Sequence, residues 1–157
     1  MRLPRQIEAD ASHAGIRAAL TARPHRLWAG GTLSVPLLTP SDALVQALLA
    51  AARAGQLCRG LEAAVAALAT ETRGLATLAP QGARVSRLWL FSRDGTERFY
   101  RQVERALGRY APRVLGCQLD VDSARLGALL YGRAAVVKLV MVEHKDAVTA
   151  VLRTLAA

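Results

Sequence analysis

The second half of the chain alternates between short, almost wholly apolar runs and longer segments whose apolar residues recur at helical spacing. The apolar runs have the length of strands. Predicted strands are 85–91, 113–119 and 134–142, and predicted helices are 96–110, 123–131 and 146–155. Because the strands are nearly all apolar, they are typical of a sheet that is buried on both faces. This rhythm predicts an α/β fold in which helices cover a largely parallel or mixed sheet.

Two further helices are predicted in the middle of the chain. Ser41 is a good N-cap for the first, and Gly55 ends it. A short link, 57–59, follows, and Gly60 opens the second helix. Residues 70–83 are predicted to form a loop.

Residues 1–40 have a weaker pattern. A weak helix is predicted over 7–20 and a short strand over 33–38, while Gly30, Gly31 and three prolines break any longer element. We therefore predict that 1–40 is an N-terminal arm or small extension, and that 41–157 is the main domain.

Composition narrows the class of protein. Hydrophobic residues make up 52% of the chain, which is too high for a disordered protein, and no apolar run is long enough for a transmembrane helix. Two cysteines cannot build a disulfide framework or a four-ligand zinc site. The N-terminus lacks the apolar stretch of a secretory leader. We expect a cytoplasmic domain without membrane attachment, metal or cofactor.

The chain is strongly basic, with 21 Lys and Arg residues against 12 Asp and Glu and a net charge of +9. Nineteen of the basic residues are Arg, which fits the codon usage of a GC-rich genome, but such bias does not explain an excess of bases over acids. The excess is +3 in 1–40, zero in 41–83 and +4 in 84–112. A polyanionic partner and a solvated surface both remain possible at this point.

Part of the excess forms a row in the predicted helix 96–110, with apolar residues on the opposite side of the helix. The row consists of Arg98, Arg101, Arg105 and Arg109. A solvated face is the ordinary explanation, yet like charges at this spacing repel one another, and an acidic partner would relieve the repulsion. Glu97 and Glu104 lie to one flank. We expect this arginine stripe to face a partner.

Three polar positions follow predicted strands, where sites occur in open sheets. They are Asp94, Asp120 and His144. Asp94 is also typical of a turn, with Thr96 as a helix cap, and Asp122 or Ser123 is well placed as the next cap. No nucleophile motif, P-loop or dinucleotide-binding motif accompanies them. We therefore expect no catalysis, and a small α/β enzyme is the least favoured alternative.

Two segments resemble a known family. Residues 48–65, LLAAARAGQLCRGLEAAV, and residues 125–133, RLGALLYGR, resemble signatures of the kink-turn-binding ribosomal protein superfamily, the L-seven-Ae, L-thirty-e and Pelota-like group. The order of predicted elements over 41–157 also agrees. The resemblance implies a three-layer α/β/α sandwich with a small mixed sheet. It also implies contact with structured RNA, or with the ribosome, through the helix that Gly60 opens and the loop after Gly132.

The residues that correspond to this RNA-contacting region are Arg53, Arg59, Gly60, Glu62 and Arg133. The family's best binders have Gly-x-Asn-Glu with a Lys shortly after, whereas this chain has Glu62 at the Asn position and Ala66 at the Lys position. We therefore expect a non-catalytic RNA-binding protein that contacts the backbone of structured RNA. The alternative is a protein–protein interaction module of the same fold that has lost RNA binding and meets an acidic protein through the arginine stripe.

Overall fold

The computed structural model describes residues 1–75 and 84–156. Within these ranges the chain forms seven α-helices, a terminal 3-10 turn and six strands. The helices are α1 (Arg5–Glu8), α2 (His13–Ala22), α3 (Asp42–Arg53), α4 (Leu61–Leu75), α5 (Glu97–Tyr110), α6 (Ser123–Tyr131) and α7 (Lys145–Arg153), and the 3-10 turn is Thr154–Ala156. The strands are β1 (Pro24–Arg26), β2 (Ser34–Leu38), β3 (Leu57–Arg59), β4 (Arg87–Phe91), β5 (Val114–Leu119) and β6 (Leu139–Val142).

The strands form one open mixed sheet in the order β1-β2-β5-β4-β6-β3. The three strands β2, β5 and β4 are parallel neighbours. β6 pairs antiparallel with β4, and the edge strands β3 and β1 pair antiparallel with β6 and β2. Helices cover both faces, so the predicted three-layer α/β/α sandwich with a mixed sheet is confirmed.

Side chains of the central strands alternate between two cores. In β4, Leu88 and Leu90 belong to one core, and Trp89 and Phe91 belong to the other. The first core also contains apolar residues of α1, α2, α3, α6 and α7, and the second contains those of α4 and α5. Because helices cover both faces of the sheet, the central strands are apolar on both sides.

Residues 1–40, predicted to be an arm or small extension, are built into the same body. Leu37 of β2 lies beside Gln118 of β5 in the parallel ladder. Ile7, Ile16 and Leu20 are buried in the first core. Burial of these apolar side chains and the strand pairing join the segment to the sheet, so residue 40 does not separate two cores.

The single helix predicted over 7–20 is wrong, because the structure has two helices with a turn between them. The carboxylate of Asp10 accepts hydrogen bonds from the backbone N–H and the hydroxyl of Ser12, at 2.9 and 2.8 Å. Asp and Ser side chains that bond nearby backbone groups compete with helix formation. This local turn separates α1 from α2.

Three other predicted segments differ in the structure. The link predicted at 57–59 is the strand β3, which the antiparallel ladder with β6 holds in extended form. The strand predicted over 134–142 is confined to β6, and 132–138 is a loop in which Val136 is 58% exposed. Helix α4 extends through Leu75, so the loop predicted over 70–83 is wrong at its start, and 76–83 lie outside the described residues.

Candidate nucleic-acid interface

The turn between β3 and α4 is set by Gly60. Its φ is +96°, a value that L-residues with side chains rarely adopt, and its N–H donates to the carbonyl oxygen of Leu139 at 2.8 Å. A β-carbon built at Gly60 would meet no atom within 4 Å. Glycine is therefore required by the backbone angle, and the space in front of it is open.

The first turn of α4 presents hydrogen-bond donors to this open space. Within the described part of the chain, the N–H groups of Leu61, Glu62 and Ala63 have no acceptor. A helix start carries a partial positive charge and binds anions. The exposed side chain of Glu62 stands in the same turn and puts a carboxylate beside these donors.

Arg59 and Tyr131 connect this turn to the end of α6. The guanidinium of Arg59 lies over the phenol ring of Tyr131, 4.8 Å from its centroid. Partial burial raises the pKa of the Tyr131 hydroxyl, and the nearby charge of Arg59 acts in the opposite direction. Tyr131 remains 38% exposed, so one side of this cation–π pair faces solvent.

The loop that follows α6 lies on the same side of the sheet edge. Gly132, with φ of +106°, ends the helix, and Arg133 is exposed immediately after it. The structure thus brings together both segments that the resemblance singled out. We call the surface formed by Arg59, Gly60, Tyr131, Gly132 and Arg133 the Gly60–Gly132 surface.

Arg53 precedes β3, at the opposite end of that strand from Arg59. It is in the last turn of α3, before the strand begins, where Leu57 pairs with Val142. Arg59, at the other end of the strand, pairs with Val140. The resemblance groups Arg53 with Arg59, and the structure places the first before β3 and the second at its end.

Sequence reasoning also missed the aromatic part of the surface. Tyr131 falls inside the quoted segment 125–133, but nothing in its spacing shows that Arg59 stacks on it. Its position at the exposed end of an apolar helix is the signal that could have singled it out.

The four arginines of the stripe are all exposed, but they differ in their surroundings. Arg101 donates to Glu97 at 2.6 Å and stacks on Trp28, 4.6 Å from the ring centroid. Glu104 accepts from the indole N–H of Trp28 at 3.2 Å and from the backbone N–H of Leu33 at 2.8 Å. Within the stripe, Arg101 is therefore engaged in contacts inside the chain.

The acidic residues after β4 and β5 act as structural acceptors. The carboxylate of Asp94 accepts from the backbone N–H and the hydroxyl of Ser123, at 2.9 and 2.8 Å. Partial burial raises the pKa of Asp94, but the hydrogen bonds to its carboxylate, of which those from Ser123 are part, together outweigh it, so the pKa is lowered overall. Asp120 accepts from the guanidinium of Arg93 at 2.8 Å.

His144 lies at the opposite end of the sheet from these two carboxylates. The antiparallel register pairs Phe91 with Leu139 and Leu88 with Val142, so the chain leaves β6 beside the start of β4. His144 there accepts from the backbone N–H of Asp146 as the N-cap of α7. Asp94, Asp120 and His144 therefore do not converge. Within 1–75 and 84–156, no three His, Cys, Asp or Glu side chains are grouped so that they could hold a metal ion.

Comparisons of the chain with known families and with curated proteins find no match. In the described ranges, no helix is both long enough and apolar enough to cross a membrane. The Gly60–Gly132 surface combines unpaired helix-start donors, two exposed guanidinium groups and an accessible aromatic ring. These groups can contact phosphate oxygens and the flat face of a base.

Proposed function

We propose that this protein binds structured RNA without catalysing a reaction on it, through the Gly60–Gly132 surface. The observation that carries the proposal is the placement of Arg59 against Tyr131, which puts the start of α4 next to the loop that contains Arg133. Phosphates approach beside the start of α4, where Arg59 and Arg133 neutralise their charge.

The chemistry of the surface favours RNA that is folded over an extended single strand. Proteins that bind single strands use several aromatic platforms, and this chain has only seven Phe, Trp and Tyr residues in all. A single exposed ring beside a cationic turn is suited to one base next to a folded backbone. We place the activity in the cytoplasm, and the resemblance favours an association with the ribosome.

Glu62 makes the proposed site selective. A carboxylate in the first turn of α4 repels a phosphate that lies directly on the helix axis, but it accepts hydrogen bonds from amino groups on base edges. The phosphate contacts therefore fall to the side of Arg59 and Arg133. Arg53, beyond β3, is a predicted contact for an RNA long enough to pass that strand.

The test is a filter-binding titration of the full chain with a kink-turn RNA hairpin at several low salt concentrations. Arg59→Ala combined with Arg133→Ala should weaken binding and reduce the slope of log K against log salt by about two. Arg53→Ala should have the smaller effect. Glu62→Gln should alter the preference between hairpins that differ in bases at the internal loop while leaving the salt slope unchanged.

The matched control is Arg5→Ala combined with Arg26→Ala. Both residues are exposed, neither forms an ion pair among the described residues, and β1 with Arg26 is at the opposite edge of the sheet from β3. The control removes the same net charge as the test variant. Because it removes that charge away from the Gly60–Gly132 surface, it should retain the parent salt slope. Equal loss in the two double variants, or no RNA affinity in the parent chain at low salt, contradicts the proposal.

A further inference from the structure

A groove of about 480 Å³ separates α4 from α5 on the second face of the sheet. Since β3, β4 and β5 run in the same direction, the helices that connect them lie side by side in parallel. Near the end of α4, the carboxylate of Glu71 accepts a hydrogen bond of 2.8 Å from the guanidinium of Arg113, which lies just after α5. This bond holds the two helix ends together. The groove is bounded by two nearly parallel walls.

The groove has an apolar floor. The residues that form it are Val65, Ala66 and Ala69 of α4 and Ala106 and Tyr110 of α5. Small side chains at three of these positions let another backbone approach closely. The hydroxyl of Tyr110 is buried there and has no hydrogen-bond partner among the described residues. Such a floor offers apolar contact area and little that a phosphate would bind.

The rim of the groove on the α5 side is cationic. Arg105 and Arg109 line it, both are exposed, and neither forms an ion pair within the described ranges. Arg101, one turn earlier, is instead paired with Glu97. Like charges at i,i+4 repel one another, and carboxylates of a partner would offset that repulsion.

We propose that the α4–α5 groove is the docking site for an acidic amphipathic helix of a protein partner. The apolar face of that helix fills the space over Ala66 and Ala69, and carboxylates along one edge pair with Arg105 and Arg109. Parallel helical walls, small floor residues and a cationic rim are the features of a helix-in-groove interface. The inference uses neither Arg59 nor Arg133, and of the residues proposed to contact RNA the groove is lined only by Glu62, on its α4 side.

The test uses a fluorescein-labelled synthetic helix of about 18 residues with a leucine face and glutamates at i,i+4 beside it. A second peptide has lysine at the glutamate positions. By fluorescence anisotropy with the full chain, the glutamate peptide should bind saturably and about ten-fold more tightly than the lysine peptide. Arg105→Glu combined with Arg109→Glu should reverse this preference.

Two further variants separate the groove from general surface charge. Ala66→Trp fills the groove at an exposed position and should abolish binding of both peptides. Arg98→Glu changes an exposed arginine of α5 that does not line the groove, and it should preserve the preference of the parent. Circular dichroism of each variant confirms that the fold is retained.

Several results would overturn the proposal. One is equal affinity for the two peptides, and another is binding that Ala66→Trp leaves unchanged. Light scattering that shows a dimer dissolved by Ala66→Trp would make a second copy of the chain the occupant. Loss of hairpin RNA binding in the Arg105/Arg109 reversal, with no peptide bound by the parent, would make the groove an RNA contact.

Discussion

Gly127 of α6 faces the backbone carbonyl of Ala135 with no room for a side chain between them. A β-carbon at Gly127 would collide with the carbonyl carbon and oxygen of Ala135, which belong to backbone and cannot rotate away. This close approach seats the loop 132–138 on α6. The Leu-Gly pair in the segment 125–133 thus has a structural reason, because it positions the loop that carries Arg133.

We expect Gly127→Ala to destabilise the fold by roughly 1–3 kcal/mol through this overpacking. Helix propensity alone predicts the opposite sign, since Ala is favoured over Gly inside a helix. The matched control is Gly108→Ala in α5, where a β-carbon meets no atom within 4 Å. That change should stabilise by about 0.5–1 kcal/mol. Urea unfolding measures both, and stabilisation by Gly127→Ala would contradict the close approach.

Glu104 should contribute more to stability than its neighbour Glu97 on the same helix. Its carboxylate accepts from Trp28 and from the N–H groups of Thr32 and Leu33. Glu104→Ala leaves those donors unpaired, and we expect a loss of about 1–3 kcal/mol together with a red shift in the fluorescence of Trp28. Glu97→Ala removes only an exposed i,i+4 pair with Arg101 and should cost about 0.5 kcal/mol or less. Equal losses of stability in the two variants would show that Glu104 does not anchor residues 28–33.

Asp10 should make stability depend on pH at the acidic end. Hydrogen bonds from the backbone and hydroxyl of Ser12, then from Arg153, lower the pKa of Asp10 to about 2. The unfolded pKa is near 3.9, so the stabilisation is fully present above about pH 5 and is lost as pH falls through the folded pKa. The urea midpoint of Asp10→Asn should therefore lie below that of the parent at about pH 6 and approach it near pH 2.

A suitable control for this pH dependence is Asp42→Asn, because Asp42 is exposed and its side chain forms no hydrogen bond within the described ranges. Its midpoint should differ little from that of the parent at both pH values. A difference between Asp10→Asn and the parent that stays constant down to pH 2 would contradict the role of the ionised carboxylate.

The two cysteines should differ in reactivity. Complete burial raises the pKa of the Cys117 thiol to about 12, and partial burial raises that of Cys58 to a smaller degree. Because the thiolate is the reactive form, a disulfide reagent at about pH 8 should label Cys58 slowly and Cys117 only when the chain unfolds. In the Cys58→Ser variant, the labelling rate should follow the unfolding rate. Rapid labelling of Cys117 in that variant would indicate local opening of the sheet beside β5.

Caps and periodicity were predictable because both are local. Thr96 and Asp122 are the observed N-caps of α5 and α6, with side chains accepting from N–H groups three residues ahead. The apolar runs became β4 and β5 within two residues of the predicted start. A cap depends on hydrogen bonds within one helical turn, and a strand pattern depends on alternating neighbours. Both can therefore be predicted from a single sequence.

The candidate site could be predicted only in part. Gly60 and Gly132 stand out in the sequence as breaks between elements, and both have positive φ in the structure. The contact between Arg59 and Tyr131 joins residues of two different elements and depends on how β3 pairs with β6. The resemblance placed Arg53 in the same site as Arg59, and that grouping stays a prediction.

By itself, the sequence determined the alternation of elements, the caps, the apolar faces and the α/β class. Only the tertiary structure decided that 1–40 belongs to the common core, that 57–59 is a strand, and that Glu104 holds Trp28, 76 positions away in the chain. The reason is physical. Short-range hydrogen bonds and periodicity determine whether a segment is a helix or a strand. Burial and strand pairing between distant segments determine which elements it packs against.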